Sequence, residues 1–294
     1  MTSQALPRYD VATALGQGMR EIQEDSIVTD FPAGMDVGFV VLADGMGGHA
    51  AGEIASAILV TEVFAELKFK LAVLKKHEEN LPAILKNAAM TANACIRDYV
   101  SENPRNYGMG ATRVTPILVE DRLYWISVGD SPMYLHRDNV LRQLNEDHSM
   151  APEIDRMVAS GLITPEEGAD HPDRNCLRSV LLGDSVAKID CPNAPFMVRE
   201  GDILVVASDG LQTLTDAEIS EVLVDKSDRP SSEIAFALLA AVNQRNDPDQ
   251  DNTSISIIKI NRTKSAAASV PEYRSRRAAG GMSQTRLLSF PGDR

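Results

Sequence analysis

The pattern of apolar and polar positions divides the chain into helices and strands in an irregular order. Apolar residues at helical spacing predict helices over 50–69, 81–102, 216–224 and 231–244. Short apolar runs predict strands over 9–15, 26–30, 40–43, 114–119, 123–128, 133–136, 140–144, 186–190, 203–207 and 253–260. The chain therefore mixes both element types, and no segment of it repeats.

The stretch from Val40 to His49 is the one around which the rest of the chain is organised. Four apolar residues end at Asp44, which opens a glycine-rich turn, and an alanine-rich helical run follows. Glycines allow a tight bend and the close approach of a ligand. We expect Asp44 at the mouth of a strand, with the Gly45 carbonyl beside it, although an isolated Asp-Gly pair is usually an ordinary turn.

Other acidic residues also stand at predicted strand ends. Asp209 follows a second apolar run, Asp251 precedes the last strand, and Glu24 and Asp25 precede a short one. Asp130 interrupts the strand-rich middle of the chain. Hard cations such as Mg²⁺ and Mn²⁺ prefer oxygen ligands held rigidly. The set of acids therefore predicts a divalent metal site.

Composition indicates the class of protein and its cellular compartment. The chain has 294 residues, of which 44% are hydrophobic and 24% charged, as is ordinary for a globular protein. No apolar run reaches the ~18 residues of a membrane span, and no signal peptide is recognisable. The three cysteines, Cys95, Cys176 and Cys191, form no CxxC motif, which favours a reducing cytoplasm.

Charge is spread unevenly. The net charge is −13, but residues 262–294 hold seven Lys/Arg and two Asp/Glu, so residues 1–261 carry 22 basic against 40 acidic side chains. An acidic body argues against a nucleic-acid partner and suits a cleft that collects cations. We expect a catalytic domain over 1–261 and a basic, low-complexity, disordered tail over 262–294.

Seven motifs, in order over residues 10–260, resemble the bacterial metal-dependent protein Ser/Thr phosphatases of type 2C. They are Arg20 with Glu24-Asp25, Asp44 to His49, Gly108 to Thr112, Val128 to Ser131, Asp147 to Ser149, Ser208 to Gly210, and Asp251 to Thr253. The resemblance implies an α+β fold, a four-layer sandwich of two central antiparallel β-sheets flanked by helix pairs. It also implies a metal site at one edge of the sandwich and a flap over 150–178 beside it.

The resemblance also implies roles for residues. A pair of Mn²⁺ or Mg²⁺ ions would be bound by Asp25, Asp44, Asp209, Asp251 and the Gly45 carbonyl. Glu24 would act on the ions through water, Arg20 would hold the substrate phosphate, and Asp130 with Asp209 would bind a third ion. Hydroxide between two metal ions can attack a phosphoserine or phosphothreonine ester, and arginine can bind phosphate in a bidentate manner. The catalytic set is then Arg20, Asp44 and His49.

For two of these residues, the local sequence also supports a different role. His49 is a candidate general acid for the leaving oxygen, or it caps the following helix. Asp130 binds the third ion, or it caps a turn in its Gly-Asp-Ser context. His148 is expected to be structural. Three positions depart from the family pattern, Gln23, Ala111 and Pro132, and the proline predicts an edge strand or a local distortion.

The expected partners follow from the resemblance. They are phosphorylated proteins, which a Ser/Thr kinase of bacterial signalling would produce. The enzyme itself is expected to be a monomer. A rival interpretation is a catalytically silent binding module on the same fold, but such a module should have lost metal-binding acids. A second is a regulatory phosphatase that acts on an anti-sigma-factor antagonist.

Overall fold

The computed structural model describes residues 8–47, 51–74 and 78–261. The helices of this part are α1 (Ala51–Leu74), α2 (Leu81–Glu102), α3 (Ala151–Ala159), α4 (Pro165–Ala169), α5 (Asp216–Asp225) and α6 (Ser231–Gln244). The strands are β1 (Tyr9–Gly16), β2 (Asp25–Asp30), β3 (Val37–Met46), β4 (Gly110–Ala111), β5 (Arg113–Val119), β6 (Arg122–Val128), β7 (Met133–Arg137), β8 (Val140–Gln143), β9 (Phe196–Met197), β10 (Ile203–Ala207) and β11 (Thr253–Ile260). All described residues belong to one compact unit.

The strands form two antiparallel sheets. The first has the order β1-β11-β10-β7-β8, and the second has the order β2-β3-β5-β6-β9 with β4 paired to β3. Each sheet joins strands that are distant in sequence, as where β1 at the start of the domain pairs with β11 at its end. The second sheet brings β2 and β3 against each other over six residue pairs.

Three apolar layers show how the sheets and helices stack. Val40 and Leu42 of β3 pack with Leu204 of β10 between the two sheets. The alternate residues of β3, such as Phe39 and Val41, pack against α1 and α2 on the outer side. The first sheet is covered on its outer face by α5 and α6. Because neighbouring strand residues point to opposite faces, strands buried on both faces read as continuous apolar runs. The predicted four-layer α+β sandwich is confirmed.

Two sequence-based predictions were wrong in this part of the fold. The strand did not end at Asp44, because β3 continues to Met46 and pairs with β4 through Gly45 and Ala111. No strand forms over 186–190. There the Ser179 hydroxyl accepts from the Lys188 N–H at 2.9 Å and donates to the Lys188 carbonyl at 2.7 Å. A side chain thus satisfies the backbone groups of Lys188, and within this segment Asp190 alone pairs with a strand, through an isolated bridge to Ser127.

Pro132 does not mark an edge strand, contrary to the expectation from its missing N–H. It immediately precedes β7, which lies between β10 and β8 in the first sheet. The Pro132 carbonyl accepts a hydrogen bond from the Ala207 N–H at 3.0 Å. The proline therefore stands where its carbonyl is used and its missing N–H is not needed.

The predicted flap region is a long insertion whose two ends meet at the edge of the sandwich. It contains α3 and α4, and its two ends are joined by an antiparallel bridge between Ser149 and Leu177. Arg178 N donates to the His148 carbonyl at 2.8 Å, which closes the same base. None of the helices in the described ranges is long and apolar enough to cross a lipid bilayer.

Candidate active site

Strand register brings the first two acids together. Asp25 at the start of β2 lies directly opposite Asp44 of β3 in the antiparallel pair. Residues directly opposite in such a pair project to the same face of the sheet, with Cβ atoms about 5 Å apart. Two carboxylates that are 19 positions apart in sequence are therefore neighbours in the fold.

The second pair of acids comes from the other sheet. Asp209 follows β10, and Asp251 lies two residues before β11, the antiparallel neighbour of β10. The end of one strand and the beginning of the other consequently meet at one edge. The Ser208 hydroxyl donates to Asp25 Oδ2 at 2.7 Å and accepts from the Ser254 N–H at 2.9 Å, which joins this edge to the Asp25–Asp44 pair.

The loop that carries Arg20, Glu24 and Asp25 is held by one buried side chain. The Asn252 Oδ1 accepts from the Glu24 N–H at 2.7 Å. The Asn252 Nδ2 donates to the Gln17 carbonyl at 2.8 Å and to the Ile22 carbonyl at 3.1 Å. Asn252 is only 4% exposed, so these three hydrogen bonds form without competition from water.

Glu24 lies against the first turn of α1. The Gly52 N–H donates to its carboxylate, and burial is the main cause that raises the Glu24 pKa. A Cβ atom on Gly52 would stand 2.3 Å from the Glu24 Oε1, and one on Gly45 would stand 2.1 Å from the Gly52 carbonyl oxygen. Only glycine allows this approach of strand, helix and carboxylate.

Thr112 fixes the backbone of Asp44. Its N–H donates to the Asp44 carbonyl at 2.8 Å, and its hydroxyl accepts from the Asp44 N–H at 3.1 Å. The same hydroxyl lies 2.7 Å from the hydroxyl of Ser131, the residue after Asp130. Thr112 therefore links the Asp44 strand to the Asp130 turn.

The acids raise one another's pKa values. Burial, followed by the neighbouring Asp209 and Asp25, raises the pKa of Asp44 well above its usual range. Burial and Asp251 raise the pKa of Asp209. Burial raises the pKa of Asp25 to about 6, against the lowering effect of the Ser208 hydroxyl. Mutual elevation of this kind marks a cluster of carboxylates without enough positive charge.

Asp130 stands beside this cluster at the edge of the meander. Burial, followed by Asp209 and Asp147, raises its pKa to about 7. The left-handed backbone at Gly129 has φ of 106°, and the Gly129 N–H donates to His148 Nδ1 at 3.2 Å. His148 thus holds the turn that aims Asp130, which agrees with the structural role expected of it.

Arg20 reaches the cluster from the opposite side. Its Nη2 lies 2.6 Å from the Asp251 Oδ2, and both side chains remain partly exposed, at 54% and 41%. An exposed ion pair of this kind stabilises the protein by no more than ~1 kcal/mol. Opening this ion pair therefore costs the fold little.

A cavity of about 680 Å³ exposes the predicted residues. Its polar lining includes Arg20, Glu24, Asp44, Gly45, Asp130, Asp209 and Asp251. Asp25 lies beneath, only 5% exposed, and its Oδ1 is buried without a hydrogen-bond partner. In the described ranges, no three His, Cys, Asp or Glu side chains form a ready-made metal cage. The carboxylates instead contact one another and Arg20, so binding a cation requires these contacts to open.

The donor set fits divalent cations. The carboxylates and the Gly45 carbonyl supply oxygen atoms only, which are the ligands that Mg²⁺ and Mn²⁺ take. A buried, unpartnered Asp25 oxygen and several raised pKa values are the features expected of acids that are stabilised by a bound cation. His49, the predicted general acid, lies outside the described residues.

Three supporting residues were not assigned roles from the sequence. Thr112, Ser208 and Asn252 all lie inside quoted motifs, yet what they do depends on which backbone groups they meet. Gln23 was noted only as a departure from the family pattern. Its Oε1 accepts from the Asp25 N–H at 3.0 Å and its Nε2 donates to the Gly16 carbonyl at 3.1 Å, so it also holds the loop.

Known proteins resemble this chain in sequence and in fold. The family model "Protein phosphatase 2C" matches residues 10–168. The serine/threonine phosphatase stp of Listeria innocua is 33% identical over 223 residues, which cover 76% of this chain and 84% of the relative.

Solved structures agree with the family match. The serine/threonine phosphatase of S. agalactiae superposes with a TM-score of 0.71 at 28% identity, covering 86% of this chain and 100% of that one. The catalytic domain of the phosphatase PstP, in complex with two manganese ions, gives a TM-score of 0.66 at 29% identity and covers 86% and 99%. The chain belongs to the protein phosphatase 2C family of metal-dependent serine/threonine protein phosphatases.

Proposed function

We propose that the cavity over Asp44 is the active site at which this chain removes phosphate from phosphoserine and phosphothreonine in proteins. The observation that carries the proposal is the convergence of Asp25, Asp44, Asp209 and Asp251 from both sheets on one edge. Family membership and the similarity to a phosphatase with two bound manganese ions support it.

The proposed metal ligands are those four aspartates together with the Gly45 carbonyl, with Glu24 acting through water. Two Mn²⁺ or Mg²⁺ ions, when bound, supply a nucleophile from water at neutral pH and neutralise charge on the phosphate. Ser208 holds the Asp25 carboxylate, and Thr112 holds the Asp44 backbone. These contacts fix the Asp25 carboxylate and the Asp44 backbone, whereas the contacts of the carboxylates with one another and with Arg20 would open when the ions bind.

Arg20 is the proposed phosphate ligand. Its exposed guanidinium lines the cavity, and among the described residues its ion-pair partner is Asp251. Arginine presents a planar pair of N–H donors that matches two phosphate oxygens. In this role Arg20 binds and orients the substrate without taking part in bond cleavage.

Asp130 and Asp209 are the proposed ligands of a third, weaker ion. Within the described ranges, the one backbone N–H that interacts with the Asp130 carboxylate is its own, and no neighbouring N–H donates to it. This observation supports the ion over the alternative of a turn cap. Proton delivery to the leaving oxygen is then assigned to this corner of the site, and His49 stays the second candidate.

The proposed substrates are phosphoproteins made by a Ser/Thr kinase in bacterial signalling, and we propose that the enzyme acts as a monomer. The three cysteines are free, which supports the cytoplasm as the location.

One experiment tests the activity. The purified chain is incubated with a phosphothreonine peptide in Mn²⁺, in Mg²⁺, and in excess EDTA, with Asp44→Asn as the control variant. We expect phosphate release that depends on the metal and is lost in Asp44→Asn, with an unchanged circular dichroism spectrum. Full release in EDTA would contradict the metal-dependent mechanism.

A further inference from the structure

A second cavity, of about 580 Å³, opens directly beside the catalytic one. Arg20, Asp130, Asp209 and Asp251 line both cavities. The far walls of the second cavity are the flap, the beginning of α5 at Asp216, and the loop before β11. We name this cavity the acidic cleft.

The acidic cleft has a large excess of negative charge. The aspartates that line it are Asp130, Asp147, Asp155, Asp209, Asp216, Asp247, Asp249 and Asp251. Its two basic residues are already paired, Arg174 with Asp155 at 2.7 Å and Arg20 with Asp251 at 2.6 Å.

Six of the aspartates lack such a partner among the described residues, Asp130 and Asp209 where the two cavities meet and four along the walls. Within the described part of the chain, Asp147, Asp216, Asp247 and Asp249 form no salt bridge. Asp147 and Asp247 accept hydrogen bonds from nearby backbone N–H groups, and Asp216 accepts one from the Tyr134 hydroxyl. Asp216 and Asp249 are exposed along the walls of the cleft. The wall charges are therefore available to a cationic group from outside.

The floor of the acidic cleft also points to a cation. Asp130 is only 9% exposed, lines the cleft, and forms no hydrogen bond or ion pair with another described residue. A buried carboxylate without a partner is costly unless a positive group approaches it, whether the proposed third ion or a cationic side chain in the cleft. Asp130 lies where the two cavities join, so the negative potential continues from the catalytic centre into the cleft.

We propose that the acidic cleft binds the segment of a substrate protein next to the phosphorylated residue and selects segments with lysine or arginine there. The inference rests on the proposed function, because a phosphate held at Arg20 places the adjoining residues over the cleft. Clefts lined by one sign of charge concentrate ligands of the opposite sign. The preferred substrate is then a phosphothreonine or phosphoserine flanked by basic residues.

The opposite rim of the catalytic cavity has a different character. It is lined by Leu177, Val180 and Leu182, which carry no charge. Selection by charge should therefore act on one side of the phosphorylated residue only. A series of peptides with arginine at successive positions identifies that side.

The test compares phosphothreonine peptides that differ at one flanking position, occupied by arginine, alanine or glutamate. An arginine scanned along both sides of the phosphothreonine identifies the sensitive position. At that position we expect kcat/KM for the arginine peptide to exceed that for the glutamate peptide about fivefold, the scale of one or two solvent-accessible charge pairs. The ratio should shrink at high ionic strength.

Two variants probe the acidic cleft without touching the proposed metal ligands. Asp249→Lys reverses one wall charge, and Asp216→Asn removes another while keeping the shape of the side chain. Asp98→Lys, on the exposed face of α2 and outside both cavities, is the matched control. Asp249→Lys should abolish or reverse the arginine preference, Asp216→Asn should reduce it, and Asp98→Lys should leave it intact.

A small aryl phosphate distinguishes the proposed phosphatase activity from the proposed selection of basic flanking residues. All three variants should hydrolyse p-nitrophenyl phosphate at the wild-type rate, because this ester does not reach the cleft walls. Equal kcat/KM for arginine and glutamate peptides, or identical effects of Asp249→Lys and Asp98→Lys, would overturn the inference alone. Failure of the wild-type chain with every peptide and ester would overturn the proposed function and the inference with it.

Discussion

The side chain of Asn252 holds the backbone of Glu24, with Oδ1 accepting from the Glu24 N–H at 2.7 Å while Nδ2 binds two carbonyls of the same loop. Asn252→Asp keeps the acceptor but places a second oxygen against the carbonyls of Gln17 and Ile22. We expect the free energy of unfolding to fall by about 2–3 kcal/mol, the cost of unpaired buried groups.

The loosened loop carries Arg20 and Asp25, so Mn²⁺ should also bind more weakly to Asn252→Asp. Isothermal titration calorimetry measures the affinity and chemical denaturation the stability. Asn103→Asp, which breaks an exposed bond to the Tyr99 carbonyl at 3.0 Å, is the matched control and should change neither quantity much. Wild-type Mn²⁺ affinity in Asn252→Asp would show that this side chain does not organise the loop.

Arg20→Ala should weaken substrate binding more than it slows turnover. Losing a charge-assisted, two-point contact with phosphate should cost about 1.5–3 kcal/mol in kcat/KM. Arg20→Lys should recover only part of this loss, because an ammonium group cannot bind two oxygens in a fixed plane. Steady-state kinetics with p-nitrophenyl phosphate measure the effect, and unchanged values for Arg20→Ala would remove Arg20 from the phosphate site.

Asp130→Ala separates the proposed third ion from a turn cap. If Asp130 helps to protonate the leaving oxygen, turnover should fall sharply for an alkyl phosphate ester and less for an aryl ester, whose leaving group needs no proton. The melting temperature should hardly change. Equal losses for both esters, together with a melting temperature several degrees lower, would identify a structural cap.

Stability of the metal-free protein should decrease as pH rises. Burial raises the pKa of Asp25 to about 6 and the pKa of Asp130 to about 7, from ordinary values of roughly 4. Between these limits the folded protein holds protons that the unfolded chain has released, so the free energy of unfolding falls with increasing pH.

Added Mn²⁺ should reverse this trend, because it binds the deprotonated acids. Melting curves in EDTA and in Mn²⁺, at about pH 5 and about pH 7, measure both effects. Stabilisation by Mn²⁺ should be larger at the higher pH, and Asp130→Asn should flatten the decline in EDTA. A melting temperature in EDTA that rises over this interval would contradict the raised pKa values.

The tail from Arg262 to Arg294 should be dispensable for chemistry. Strand β11 ends at Ile260, and every proposed site residue precedes it. Deletion of the tail should leave p-nitrophenyl phosphate hydrolysis and the melting temperature near the wild-type values. A large loss of either would show that the predicted domain boundary after residue 261 is misplaced.

Apolar periodicity predicted the elements that lie in the core. The helices 81–102 and 231–244 and the strand 253–260 were predicted with the bounds that the structure gives them. Their burial on one face, or on both, leaves a strong pattern in the residues themselves. The segment 186–190 has a similar composition, but the backbone groups of Lys188 at its centre are bound by the Ser179 side chain, which no local pattern reveals.

The acids of the site were also visible in the sequence, whereas the residues that position them were not. An aspartate after an apolar run can be recognised locally, as at Asp44 and Asp209. The work of Thr112 and Ser208 depends on strand register and on the meeting of two sheets. Contacts between segments more than 60 positions apart cannot be derived from the spacing of a single chain segment.

The hydroxyl of Ser208 spans the two sheets to reach Asp25, and the proposed ligands are divided in the same way, with two contributed from each sheet. The proposed metal site, built from all four acids, would consequently act as a removable cross-link between the halves of the sandwich. Its loss should let the two sheets separate more readily at this edge than at the apolar layer around Leu42 and Leu204. Metal concentration would then set the mechanical cohesion of the domain as well as its catalytic rate.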